Sequence, residues 1–369
     1  MSLLQTYQSR LEDIFSQSIK VAIAYHSDTD GIGSTKILSD ALFHRGFQPS
    51  QIRYYPVNNG SRHLTESQEK DLVAWRADTL FYLDLCNNVP EPIQRLRKGI
   101  KFIVSLDHHS FLEGWERNFD LYLNSRFFSE LVQPEKHCST KLLNTLFNDG
   151  AHDWIEIIGL EADLVVPSLR GMPTYEVMQV LNLIGLSQQD GEKEEEAFRR
   201  SHRLLRCMLE SDSAIDFLNR FGREEDLREI LGLIQVDLEQ NLKTAMGVEQ
   251  PDRRFPEGEI YIHPLKTDSG FAICGQVLKG HFPHRRPNAT HIFLEPLPKS
   301  GVTQVFLSSA HPSVDCYKLA RSGGGGGHPQ RAGYPYRGEN IQAEMDRLCG
   351  LIEEMIRVHP SSGIQAPIT

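Results

Sequence analysis

Three short apolar runs in the first third of the chain each end in charged or metal-ligating side chains. No other feature constrains the fold as much. Val21-Ala22-Ile23-Ala24-Tyr25 runs into His26-Ser27-Asp28-Thr29-Asp30-Gly31. Leu80-Phe81-Tyr82-Leu83 runs into Asp84, and Phe102-Ile103-Val104-Ser105-Leu106 into Asp107-His108-His109. Two adjacent histidines and an aspartate at the tip of a buried strand are costly unless something holds them, and a metal would do so. The open C-terminal ends of parallel strands are where α/β proteins keep their ligands.

The surrounding pattern supports such a sheet. Candidate strands lie at Lys20–Tyr25, Ile52–Val57, Thr79–Leu83, Lys101–Leu106 and Leu121–Asn124, with helical patterns near Ser34–Arg45, Ser67–Ala74 and Pro92–Lys98 between them. Short strands separated by helices form βαβ units. Helices are expected to follow at Ser139–Asn148, Asp153–Ala162 and Tyr175–Gly185. The texture changes at Gly191: Lys193-Glu194-Glu195-Glu196 opens a charged stretch. Leu227, Ile230, Leu231, Ile234 and Leu238 then fall close to one helical face.

Strand-like segments return at Glu259–Ile262, Phe271–Cys274, His291–Leu294 and Thr303–Leu307, before a polyglycine run and a last helix at Asn340–Val358. The expected organisation is an α/β chain in four parts. They are a parallel-sheet domain over 1–190, a helical connector or insertion over 191–250, a smaller α/β domain with a mixed sheet over 251–358, and a tail at 359–369.

Composition narrows the class. A chain of 369 residues can carry two domains with real cores. A net charge of -10 argues against a surface that coats long nucleic acid, though not against a small basic pocket or an acidic metal site. Six scattered cysteines without a C-x-x-C pair fit reduced thiols. The first residues show no basic leader with an apolar core, and no stretch reaches membrane-spanning length. A cytoplasmic protein with no membrane partner is therefore expected.

Each cluster has a plain structural alternative. If His26, Asp28 and Asp30 alternate along an extended strand end, they share one side, and Gly31 and Gly33 allow a tight turn before a helix near Ser34. Asp28 or Asp30 would otherwise cap that helix. Asp84 alone would be a cap or loop residue, and Asp107-His108-His109 alone a solvated turn. Together the three strand ends offer mixed carboxylate and imidazole ligands, which suit manganese or magnesium better than zinc. The surplus of carboxylates points to two ions with a bridging ligand. Two ions roughly 3.5–4 Å apart can activate a water and stabilise in-line displacement at phosphorus. Gly323–Gly327 with His328 and Arg331 would let bare backbone amides and cations approach an anion, or else form a flexible linker.

On these residues the chain resembles the DHH phosphoesterase superfamily with its associated C-terminal domain. HSDTDGIGS is similar to the first motif, Asp84 in FYLDL to the second, SLDHHS to the third, and GGGGGHPQRAG to the glycine-rich histidine motif of the associated domain. The matches stand in family order, and 191–250 is the part least matched. The resemblance implies two domains flanking a cleft and two ions, usually manganese with magnesium as the alternative. His26 and Asp28 would then bind one ion, Asp30 and His108 the other, and Asp84 would bridge them. Asp107 would orient His108, His109 would face the substrate phosphate or leaving oxygen, and His328, Gly325, Gly326, Gly327 and Arg331 would hold the substrate.

Asp163 is the candidate for a further metal-side aspartate, with Glu161 and Asp153 as fallbacks. Two departures stand out. The His-x-Asp-x-Asp spacing is nearer the RecJ-like branch than the nanoRNase branch. The strand before the glycine run, Val305–Ser309, also lacks the arginine often found there, so that Arg321, Arg331 or the Arg285-Arg286 pair would have to compensate.

The function so implied is a manganese-dependent phosphoesterase acting on a short oligonucleotide or nucleotide. The alternatives are a RecJ-like single-strand exonuclease, a pyrophosphatase or polyphosphatase, and a non-catalytic nucleotide-binding scaffold. The sequence is also compatible with a homodimer.

Overall fold

The computed structural model describes residues 2–57, 63–85, 90–109, 114–125, 137–147, 150–164, 171–282 and 288–358, with the backbone alone at 163, 164, 280 and 281. Cys86, Arg285-Arg286 and the tail at 359–369 lie outside the described residues. The chain divides into two compact units: residues 1–186 with 193–229, and residues 187–192 with 230–369.

The first unit opens with α1 (Leu3–Ser16), β1 (Val21–His26), α2 (Thr29–His44), β2 (Ile52–Val57), α3 (Glu66–Trp75) and β3 (Thr79–Leu83). It continues with α4 (Pro90–Leu96), β4 (Phe102–Asp107), β5 (Leu121–Asn124), α5 (Ser139–Phe147), α6 (Asp153–Leu164) and α7 (Pro173–Gly185). The strands form one parallel sheet in the order β2-β1-β3-β4-β5.

Both faces are covered, which is why β1 and β3 read as continuous apolar runs. On one face Ala22, Ala24, Leu80, Tyr82 and Ile103 pack with Leu72 of α3 and Ile93 and Leu96 of α4. On the other, Phe81 stacks on Phe15 of α1 at 5.9 Å. Each such buried aromatic or aliphatic side chain contributes roughly 1.5–3 kcal/mol. The order matters for function: the chain leaves β1 toward β2 on one side and returns in β3 on the other. The C-terminal ends of β1 and β3 therefore flank the crevice where connections diverge, the place such sheets bind ligands.

The 191–250 segment is helical. It comprises α8 (Glu194–Leu209), α9 (Ala214–Phe221) and α10 (Glu225–Met246). Residues 193–229 belong to the first unit and the rest of α10 to the second.

The second unit also contains β6 (Gln188–Gln189), β7 (Arg253–Phe255), β8 (Gly258–Pro264), β9 (Phe271–Ala272), α11 (Cys274–His281), β10 (Ala289–Leu297) and β11 (Val302–Ser309). After these come α12 (Cys316–Ser322), β12 (Gly326–His328), β13 (Arg331–Tyr336) and α13 (Ile341–Val358). Its six-stranded sheet runs β12-β13-β11-β10-β8-β7 and is mixed, with β8 and β10 parallel and the other pairs antiparallel. Met345, Leu348, Cys349, Ile352 and Ile356 form the buried stripe of α13 at helical spacing.

The polyglycine run is not a linker. Its last residues form the edge strand β12, and a Cβ at Gly325 would lie 2.0 Å from the Gly333 carbonyl oxygen. Among the described residues no helix is long and apolar enough to cross a membrane. Cys138, Cys207, Cys274, Cys316 and Cys349 are buried thiols.

Candidate metal centre

The turn after β1 differs from a simple strand extension. β1 ends at His26, Asp28 is the N-cap of α2, and Asp30 lies in the first helical turn, because α2 starts at Thr29 and not near Ser34. Alternation along a strand is thus not what gathers His26, Asp28 and Asp30. The reason for the early start is local: Asp28 Oδ1 accepts the Gly31 N–H at 2.9 Å, capping the helix. A Cβ at Gly31 would meet the His26 carbonyl oxygen at 2.1 Å, so only glycine permits so abrupt a strand-to-helix turn. Capping does not exclude the metal-facing role, since the other Asp28 oxygen, Oδ2, lies 2.7 Å from His26 Nδ1.

Asp84 follows β3 and takes a left-handed conformation, φ 60°. That conformation costs a non-glycine residue roughly 1–2 kcal/mol, and aspartate tolerates it better than most. Its carboxylate is almost fully buried and lies between the histidines: Oδ2 is 3.7 Å from His26 Nδ1, and Oδ1 is 3.1 Å from His108 Nε2 and 3.6 Å from His109 Nδ1. Asp107, at the end of β4, orders the two histidines after it. Its Oδ1 accepts the backbone N–H of His108 at 2.7 Å and of His109 at 3.2 Å, and lies 2.8 Å from His109 Nδ1. Asp107 Oδ2 is buried with no hydrogen-bond partner among the described residues.

Asp30 stands one step further back. Its Oδ2 accepts the Ser139 N–H at 2.6 Å and its Oδ1 the Thr140 N–H at 2.8 Å, both from the start of α5. His108 Nε2 is 3.7 Å from Asp30 Oδ2.

The electrostatics fit a cation. Burial would lower the His26 pKa, yet Asp28 and Asp84 overcome it and push the imidazole up to about 10. Burial, reinforced by Asp84, raises Asp30 to about 7. Burial also opposes charge on Asp84, but hydrogen bonds from His108 and His26 hold its carboxyl well below the ordinary range. Four carboxylates in one small space repel unless positive charge is supplied.

Among the described residues, two groups of side chains have ligand atoms mutually within 4.8 Å: His26, Asp28 and Asp84, and Asp84, Asp107, His108 and His109. Asp84 is common to both. These donors, mostly oxygen with some imidazole, and the orphaned Asp107 Oδ2, fit hard or borderline divalent ions.

Several contributors lie outside the motifs that stand out in the sequence. Ser139 and Thr140 present N–H groups to Asp30, and the Ser-Thr pair opening a helix is a cap signature that marks such a terminus. Asn124 ends β5 as the aspartates end their strands, and its Nδ2 donates to the His109 carbonyl oxygen at 2.8 Å. Gly159 lets α6 close on the site, since a Cβ there would meet Thr140 Oγ1 at 2.0 Å and Asp30 Oδ1 at 2.9 Å.

Asp163 lies at the end of α6, and its side chain is outside the described residues. Asp153, at the start of α6, accepts from Asn144 Nδ2 at 3.3 Å, and Glu161 is buried.

In the second unit, His328 on β12 sits directly opposite Arg331 on β13, and Arg331 sits opposite Ser308 on β11. Gly326 and Gly327 pair with Gly333 and Ala332, and Gly325 lies just before the strand.

No family model matches the chain, and no curated protein matches it. Solved structures do. The exonuclease RecJ bound to manganese aligns over 97% of this chain and 97% of its own, with 15% identity and a TM-score of 0.61. RecJ of Thermus thermophilus in complex with Mn2+ aligns over 97% of this chain at 16% identity and TM-score 0.62, and there this chain spans 55% of the larger protein. A DHH domain from a member of a family of ribosomal proteins aligns over 96% of this chain and 91% of its own, with 13% identity and TM-score 0.64. The chain has the fold of these solved structures.

Proposed function

We propose that this chain, with its DHH-type fold, is a two-metal phosphoesterase that hydrolyses a phosphate ester of a short oligonucleotide or nucleotide. The observation that carries the reading is Asp84, which belongs to both potential ligand groups at the divergence point of a parallel sheet. In this reading His26 and Asp28 would hold one ion, Asp30 and His108 the other, Asp84 would be shared by both, and Asp163 is the candidate for a further metal-side ligand. Manganese, or magnesium in its place, would supply an activated water and Lewis acidity toward a phosphoryl oxygen.

The remaining chemistry falls to the chain itself. Asp107 fixes the turn that carries both histidines through two backbone N–H groups. With His109 Nδ1 at Asp107, the proton given to the leaving oxygen would come from His109 Nε2. In the second unit, Gly325, Gly326 and Gly327 offer backbone amides, and His328 and Arg331 offer cationic contacts for substrate phosphate. The Ser308–Arg331–His328 row supports Arg331 as the compensating arginine. The net charge of -10 favours a small substrate in a cytoplasmic protein. A homodimer is part of the proposal only as an arrangement that light scattering would test.

A second reading, single-strand exonuclease, draws support from the end-to-end alignment with RecJ. A panel assay with manganese separates the readings: dinucleotides, cyclic dinucleotides, a nucleoside bisphosphate, pyrophosphate and a long single strand. Hydrolysis of short substrates is expected. Preference for the long strand, with steep salt dependence, would favour the exonuclease. No turnover by folded, metal-loaded protein would reject both. Asp84→Ala should lower turnover to background with the fold intact by circular dichroism. Near-normal activity in that variant would exclude the shared-ligand assignment.

A further inference from the structure

The turn that carries Asp28 and Asp30 is held from outside the motifs, by α7. The main-chain N–H of Thr29 donates to Asn182 Oδ1 at 3.1 Å, and the Thr29 hydroxyl donates to the same oxygen at 2.7 Å. The Thr29 hydroxyl is also 3.3 Å from the Met178 carbonyl oxygen. Only a carbonyl oxygen can face a main-chain N–H, so the Asn182 amide has one orientation. Gly185, three residues on and hence on the same helix face, closes the grip: a Cβ there would lie 1.9 Å from the Ser27 carbonyl oxygen. Met178, Asn182 and Gly185 thus present one face of α7 to Ser27 and Thr29. Thr29 is fully buried between two carboxylates that must both be aimed. A side-chain oxygen taking two hydrogen bonds from one residue sets that residue's backbone as well as its side chain.

We propose that Asn182 is a positioning residue of the metal centre: through Thr29 it fixes the geometry of Asp28 and Asp30, and so sets the affinity for divalent ions. The inference rests on the metal-centre reading above. Asn182 belongs to neither potential ligand group, and it acts through the turn.

The test is a double-mutant cycle read by calorimetric titration of Mn2+ into the metal-free full-length chain, with thermal unfolding of the metal-free proteins alongside. Asn182→Leu and Thr29→Val should each weaken Mn2+ binding, Asn182→Leu by about tenfold, as loss of an outer hydrogen bond does at other metal sites. Thr29→Ser keeps the hydroxyl and should keep wild-type affinity. The double variant should bind no more weakly than Asn182→Leu alone, because both changes remove the same link. A purely structural role would lower the unfolding temperature and leave Mn2+ affinity unchanged, which overturns the inference; so does an additive cycle. Should Asn182→Leu fail to fold, the contrast of Thr29→Val with Thr29→Ser decides alone: equal affinity in the two overturns it. Wild-type protein that binds no Mn2+ rejects the metal-centre reading itself. Wild-type binding matched by every variant rejects only the role of Asn182.

Discussion

Single residues carry unusual burdens in both units. In the first unit, Asp84 combines burial, a left-handed backbone and contacts to three histidines. Each is unfavourable or neutral for an isolated aspartate, and strain of this kind collects at functional sites. In the second unit, Glu295 on β10 is fully buried, yet its carboxylate accepts the N–H groups of Ile273, Cys274 and Gly275 at the start of α11. Burial dominates those three bonds and raises its pKa from 4.5 to about 7. The folded state therefore holds this proton more tightly than the unfolded chain. The associated stability is present below pH 4.5 and is lost as pH rises to about 7. The loss amounts to roughly 3 kcal/mol at most. Denaturant titrations across that window should show the decline, and Glu295→Gln should flatten it; an unchanged slope in the variant would assign the decline elsewhere. At the proposed substrate side, His328→Ala should raise KM with Mn2+ affinity unchanged. Loss of metal in that variant would contradict its assigned role.

At the scale of elements, the chain uses glycine to bring backbone against backbone. Five consecutive glycines read in the sequence as a loop that an anion could approach or else as a flexible linker, but the residues differ in what surrounds them. At Gly324, φ is 80° and a Cβ would meet nothing within 4 Å. At Gly325 a Cβ would strike the Gly333 carbonyl oxygen and Tyr334. Gly324→Ala should therefore cost about 1 kcal/mol, the ordinary penalty of a left-handed alanine. Gly325→Ala should cost at least about 1–3 kcal/mol, because backbone must move. Comparable unfolding midpoints for the two variants would show that the β12–β13 hairpin adapts where the contacts say it cannot. The same distinction separates α2 from its expected start. The stretch Thr29–Gly33 reads as a glycine-broken turn, yet Asp28 caps it and the helix begins there.

At the scale of the whole molecule, two units with their own cores carry different chemistry. The candidate metal ligands come from the ends of β1, β3 and β4, the start of α2 and, with Asp163, α6, all in the first unit. A bound cation stabilises only the state that holds it, by about 2.7 kcal/mol at a hundredfold excess over Kd. Hydrogen exchange with and without Mn2+ should therefore slow within 21–44, 79–85 and 102–109, and leave 289–309 and 331–336 as they were. Uniform protection across both units, or none, would count against this localisation.

Much of the fold is legible in the residues alone. The strands Ile52–Val57, Thr79–Leu83 and Leu121–Asn124 carry the bounds read from the sequence. For the central strand Thr79–Leu83, buried at every residue, the reason is that a strand covered on both faces is apolar along its length and polar where it emerges. The residues His26, Asp28, Asp30, Asp84, Asp107, His108 and His109 stand out for the same reason: polar chemistry at the tip of a buried strand is expensive without a purpose. Local pattern alone carries that much. It does not carry contacts between residues far apart in the chain. The N–H groups of Ser139 and Thr140 on Asp30, Asn124 on His109 and Asn182 on Thr29 join segments that only packing brings together. The glycines at 159, 185 and 325 likewise acquire meaning from the atom that a Cβ would strike. The sequence by itself determined which side chains meet the ends of the sheet. The tertiary structure decided how each is aimed, because aim depends on hydrogen bonds and close approaches that no periodicity records.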